Sequence, residues 1–210
     1  MCHFLVQDPR FFALLLTIDQ DQAVRTQAGG CPCEGRLHCA NYPRKPRGCL
    51  PEFRSSFDHR FSFCCGTCRK RTTAVSVRFL GRRVYLALVV VLSSSRHAGS
   101  NSAARALAGL AIPLRTLERW RAWWRDAFKH TALWLNACGG FMPSIDLERL
   151  PDALLERFVG TESTRRLSAM LRFLSPLTVR ARAAATAVND AVNDAVNDAV
   201  NDAVNDDQAA

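Results

Sequence analysis

The 210 residues carry 28 Lys or Arg against 19 Asp or Glu, a formal charge of +9, with nine Cys and 48% hydrophobic side chains. That length holds one or two small domains with a sizeable core, and the basic balance suits a polyanionic partner. The apolar runs Phe11 to Ile18 and Val84 to Leu92 are too short to span a bilayer, and the first lacks the flanks of an export signal. A cytoplasmic protein with no membrane partner is expected, and in a reducing compartment cysteines meet metal more readily than each other.

Residues 1–30 read as a lead-in that packs against a cysteine-rich ribbon, with Phe11, Phe12, Leu14, Leu15, Leu16 and Ile18 as buried positions. Ala28-Gly29-Gly30 then breaks the chain. The ribbon runs from Cys31-Pro32-Cys33-Glu34-Gly35 to Cys64-Cys65-Gly66-Thr67-Cys68-Arg69-Lys70-Arg71. Two close-set cysteine groups on tight turns supply what a four-thiolate zinc site needs. The favoured ligands are Cys31, Cys33, Cys65 and Cys68, with Cys64, Cys39, Cys49, His38 and His59 as possible substitutes. Cys65-x-x-Cys68 has the usual knuckle spacing; Cys31-x-Cys33 is one residue tighter. Unliganded thiols and a disulfide framework are the alternatives.

Between Arg36 and Arg83 twelve Lys or Arg face two acids, Glu52 and Asp58. Asn41 to Gly48 contains two Pro and is extended rather than helical; it presents Arg44, Lys45 and Arg47 beside Tyr42, as a phosphate-tracking loop would. Arg69, Lys70, Arg71, Arg82 and Arg83 extend the same positive surface. Thr72 to Leu80 alternates and is β-branched, which predicts a strand. Val84 to Leu92 is a buried strand or a core helix, and periodicity does not separate the two. Ser93 to Ser102 reads as a flexible link.

From Ala103 to Phe128 the chain reads as a short Ala-rich helix, a turn at Ala111-Ile112-Pro113 and a stronger helix. In the second helix Leu114, Leu117, Trp120, Trp124 and Ala127 recur at three- or four-residue spacing and are expected to be buried. Arg115, Thr116 and Arg119 occupy the other side, ready for base edges or phosphates. Short helices are expected over Leu150 to Phe158 and Thr164 to Leu174, the latter burying Leu167, Met170, Leu171 and Leu174. Ala-Val-Asn-Asp then repeats five times from Ala187. A four-residue period drifts around a helix and forms no apolar face, so this acidic tail is expected to be disordered or a frayed helix and to compete with DNA for the basic surface.

Ile112, Thr116-Leu117 and Arg119-Trp120 resemble the helix-turn-helix of transposases, resolvases and related regulators, with Ala111 and Pro113 as departures. Joined to the cysteine stretch, residues 31–128 are similar to the zinc-ribbon DNA-binding part of insertion-sequence transposases. The resemblance implies a structural zinc and a DNA partner; the chain is too short for that family's acidic catalytic core.

The expected fold class is α+β: a small zinc ribbon of β-hairpins, a mostly α-helical helix-turn-helix domain and a disordered tail. The boundaries are 1–30, 31–92, 93–180 with the helix-turn-helix at 103–128, and 181–210. The expected function is a non-enzymatic, zinc-stabilised DNA-binding protein. The alternatives are a truncated metal-dependent transposase or nuclease, and an RNA-binding or protein-bridging zinc module in which Tyr42, Phe53 and Phe57 stack. Oligomeric state is not legible.

Overall fold

The computed structural model describes residues 2–81, 83–95, 101–158, 160 and 162–179. Arg82, most of the link after Ser95 and the whole repeat tail lie outside the described residues. The fold is α+β, helices with two small antiparallel sheets.

A 3-10 turn, His3–Gln7, leads into α1, Pro9–Ala28. The Asp8 carboxylate accepts from the Arg10 amide and Pro9 occupies the first helical position, two features that start helices. Phe11, Phe12, Leu15 and Ile18 face a large core, while Ala23 reaches a smaller cluster around the cysteines. The lead-in segment therefore packs chiefly on the helical core and only at its end on the cysteine stretch, because its large buried apolar residues all precede Asp19.

After Gly30 the chain forms β1 (Leu37–Cys39), β2 (Tyr42–Pro43), α2 (Arg54–Phe57), β3 (His59–Arg60), β4 (Ser62–Cys65) and β5 (Arg71–Thr73). One sheet has the order β1-β4-β5, with Leu37 opposite Cys65 and Phe63 opposite Thr72; β2 and β3 make the other. The strand expected over Thr72 to Leu80 ends at Thr73. Past that point the Val77 amide donates to the Asp19 carboxylate and the Ser76 amide to Thr178, so backbone donors go to side chains instead of a ladder.

Of Val84 to Leu92, Tyr85 and Leu86 make isolated β-bridges to Arg47 and Phe79 and the rest from Ala87 on is helix: α3, Ala87–Ser94, is buried at every residue and lies within the large core. A helix covered on all sides shows no amphipathic period, which is why the sequence pattern is silent. α4 (Asn101–Leu107) and α5 (Leu114–Ala122) come next, joined through Ala111, which takes a left-handed backbone, φ 43°. α5 passes into a π-turn, Trp123–Ala127, and then a 3-10 turn, Phe128–His130. Trp120 and Trp124 are buried as expected, but Leu114 is 67% exposed and Ala127 is exposed. The widened turn shifts the register of the apolar stripe past Trp124, and Leu114 stands at a helix start that nothing covers.

Among the described residues, α4 rests mainly on the His3–Gln7 turn, where the Gln7 amide group donates to the Ala106 carbonyl at 3.0 Å, and α5 packs on α3. α6 (Ala132–Ala137), α7 (Asp152–Leu155) and α8 (Ser163–Leu174) complete the core. α8 buries Leu167, Met170, Leu171, Phe173 and Leu174. A ring series from Trp123 through Trp124, Phe128, Trp134 and Phe141 to Phe173 joins α5 to α8.

Candidate metal centre

Cys31 and Cys33 lie on the turn between α1 and β1, closed by the Glu34 amide donating to the Cys31 carbonyl at 2.7 Å. Cys65 ends β4, and Cys68 sits in the loop to β5, where the Cys65 amide donates to the Lys70 carbonyl and the Arg69 amide to the Cys65 carbonyl. The Cys68 amide points at the Cys65 sulfur, 3.4 Å away. Gly66 donates to the Arg36 carbonyl and so ties the two turns together. Gly35 runs past the site so closely that a Cβ there would lie 2.5 Å from the Cys65 sulfur.

The four Sγ atoms lie within 4.8 Å of one another, with Cys31–Cys33 at 3.4 Å and Cys31–Cys68 and Cys33–Cys65 at 3.5 Å. Disulfide sulfurs would be about 2.05 Å apart, and none of the nine cysteines is in a disulfide. Four sulfurs about 2.3 Å from a central zinc would be about 3.8 Å apart. The cluster is positioned to hold a metal ion.

The electrostatics fit a cation. The Cys65 thiol is lowered to about 6, first by the Cys68 amide and then by the Thr67 amide working against burial. Cys33 is also lowered, led by the Gly35 amide. Cys31 rises to about 12: the Cys33 amide pulls it down, but the Cys33 sulfur, burial and the Cys68 and Cys65 sulfurs outweigh that. Backbone donors thus favour thiolates where crowded sulfurs resist a further negative charge, and a divalent ion relieves that conflict. Because metal displaces the remaining thiol protons, zinc affinity should climb with pH through the range in which Cys65, lowered to about 6, and Cys31, raised to about 12, give theirs up. Zinc competition titrations at stepped pH check this; a pH-independent affinity would contradict it.

The substitute ligands stay outside the group. Cys64 alternates to the opposite face of β4 from Cys65, with its thiol toward the Arg69 carbonyl. His59 is hydrogen-bonded to Asp58 at 2.7 Å. Cys49 lies against the large core, where burial raises its thiol to about 11. Asp146 caps its own turn, Glu156 pairs with Arg149, and the buried Asp152 accepts from Ser95. No other cluster of three or more potential ligands occurs among the described residues.

No protein-family model matches the chain, and neither a curated protein nor a solved structure matches it significantly.

The predicted basic residues divide into two groups. Lys45, Arg47, Arg69, Lys70, Arg71, Arg115 and Arg119 are exposed or partly exposed, and Thr116 is half-buried. Arg44 turns inward: its guanidinium donates to the Arg83 carbonyl at 2.7 Å and the Gly81 carbonyl at 3.4 Å, over the Phe79 ring. It braces the turn that carries Arg83. Arg71 lies over Tyr42 and donates to the Ala40 carbonyl. Phe57 is fully buried and offers no stacking face; Phe53 is half-buried and packs on Phe12 and Phe57. The residue that sequence reasoning missed is Trp123, on which Arg83 rests; its signal was its place four residues after Arg119.

Proposed function

We propose that this chain is a non-catalytic, cytoplasmic DNA-binding protein held together by a structural zinc at Cys31, Cys33, Cys65 and Cys68, and related to the DNA-binding part of mobile-element transposases. Four thiolates close the coordination sphere, leaving no position for water or substrate, so the ion would stabilise and not catalyse. In the zinc-ribbon reading, the turn that carries Cys65 and Cys68 also carries Arg69, Lys70 and Arg71, all exposed.

The observation that carries the DNA reading is charge without compensation. Among the described residues four ion pairs form, through Arg78, Arg125, Arg149 and His59. Lys45, Arg47, Arg69, Lys70, Arg71, Arg83, Arg115 and Arg119 are in none of them. A surface of unpaired guanidinium and ammonium groups is what a phosphate backbone binds, releasing its condensed counterions.

Fluorescence anisotropy of labelled duplex DNA tests the reading. Roughly six phosphate contacts would lower affinity by about three orders of magnitude between about 50 and 200 mM salt. Absent or salt-indifferent binding would contradict it. Supercoiled DNA with Mg2+ should stay uncut, and single-stranded RNA should not be preferred to duplex DNA.

A further inference from the structure

Three segments far apart in sequence bring arginines to one place. On α5 and the turn that continues it, Arg115, Arg119 and Trp123 recur at four-residue intervals and so share a stripe. The Arg83 guanidinium lies 4.2 Å from the centre of the Trp123 ring, one turn from Arg119. The turn that carries Arg83 is fixed from both sides: Arg44 holds the Gly81 and Arg83 carbonyls, and the Arg47 amide donates to the Val84 carbonyl at 2.8 Å. The Leu86 amide returns a bond to the Arg47 carbonyl at 3.1 Å, and the Arg47 guanidinium stands over Tyr85, whose ring meets Trp120 edge-on. Burial and the Arg119 charge both lower Arg83 below its ordinary value. Like charges are thus gathered on a rigid aromatic base, and among the described residues neither Arg83 nor Arg119 is in an ion pair. Glu118 is the acid next to them on α5, and Asp126 is engaged by Arg125 at 2.9 Å.

We propose that Arg83, Arg115 and Arg119, with Arg47 beside them and Trp123 as platform, form one clamp for the phosphodiester backbone of nucleic acid. It positions the backbone and does not read bases. Held over the indole, with one nitrogen donating to the Leu80 carbonyl at 3.4 Å, the Arg83 guanidinium keeps its remaining N–H groups for phosphate oxygens. The turn 83–85 lies along α5 at Trp120 and Trp123, and α4 packs elsewhere, so α5 is one wall of a composite surface and not a projecting reading helix. This inference rests on the nucleic-acid reading above and narrows it.

The test is anisotropy with two duplexes of unrelated sequence on the full chain, comparing wild type with Arg83→Ala plus Arg119→Ala. Each released counterion contributes close to a decade near 0.1 M salt, so the double variant should bind on the order of 50-fold more weakly. The log–log salt slope should fall by about 2, equally for both duplexes. Arg115→Ala plus Arg119→Ala leaves the Arg83–Trp123 packing undisturbed and should show the same loss. Arg10→Ala, an exposed arginine of α1, should leave binding within about twofold, the scale of a charge change away from any contact. Wild-type binding with undiminished affinity in both double variants would overturn the clamp and leave the DNA reading standing. A loss confined to one duplex would overturn the backbone role. No wild-type binding to either duplex would overturn both.

Discussion

Asp19→Ala is expected to destabilise the protein by about 3–5 kcal/mol, because it strands a buried guanidinium. The Asp19 and Arg78 side chains are 1% and 0% exposed and meet at 2.7 Å. The same carboxylate accepts from the Ser76 hydroxyl at 2.5 Å and the Val77 amide at 2.6 Å. Arg78 also donates to the Ser56 carbonyl and lies over the rings of Phe57, Phe61 and Phe79. One pair therefore joins α1, the segment after β5 and the end of α2. Burial raises the Asp19 carboxyl, and the Arg78 charge with the three hydrogen bonds works against it. Burial outweighs them, so the pair adds little by existing and its energetic weight lies in being broken. Thermal melts should show a Tm fall of roughly 6–20 °C for Asp19→Ala, with Asp19→Leu plus Arg78→Met losing less than the two single changes summed. A fall under about 2 °C, as for a surface substitution, would mean the pair is not buried as described.

Cys65→Ser with Cys68→Ser should remove the metal and, with it, a binding free energy on the order of 10 kcal/mol. The small cluster around the cysteines has few apolar members, Ala23, Leu37, Phe63 and Ala74 besides the sulfurs. With so few apolar members, β1, β4 and β5 are expected to depend on a bound ion to stay together. In hydrogen exchange, the amides paired between Phe63 and Thr72 should lose protection, while α3 and α8, buried in the large core, should keep theirs. Unchanged protection in the sheet would show that it folds without metal.

The cysteine group was legible because metal ligation is a matter of residue type and spacing, and the choice among nine cysteines fell to strand alternation, which turns Cys64 away from Cys65. α8 was legible because one face is wet. α3 was not, since a helix buried all round carries no period. The strand expected through Leu80 failed for a partner at long range: Asp19, in α1, takes donors from Ser76, Val77 and Arg78, the last fifty-nine positions away. The spacing of Arg115 and Arg119 was visible, but not that the turn around Arg83 would lie against the same helix.

The most direct test is elemental analysis of protein purified without added metal. One zinc per chain in the wild type, lost when Cys65 and Cys68 are both serine, is the predicted result. A wild-type protein without zinc, or a double variant that keeps it, would contradict the metal centre on which the account is built.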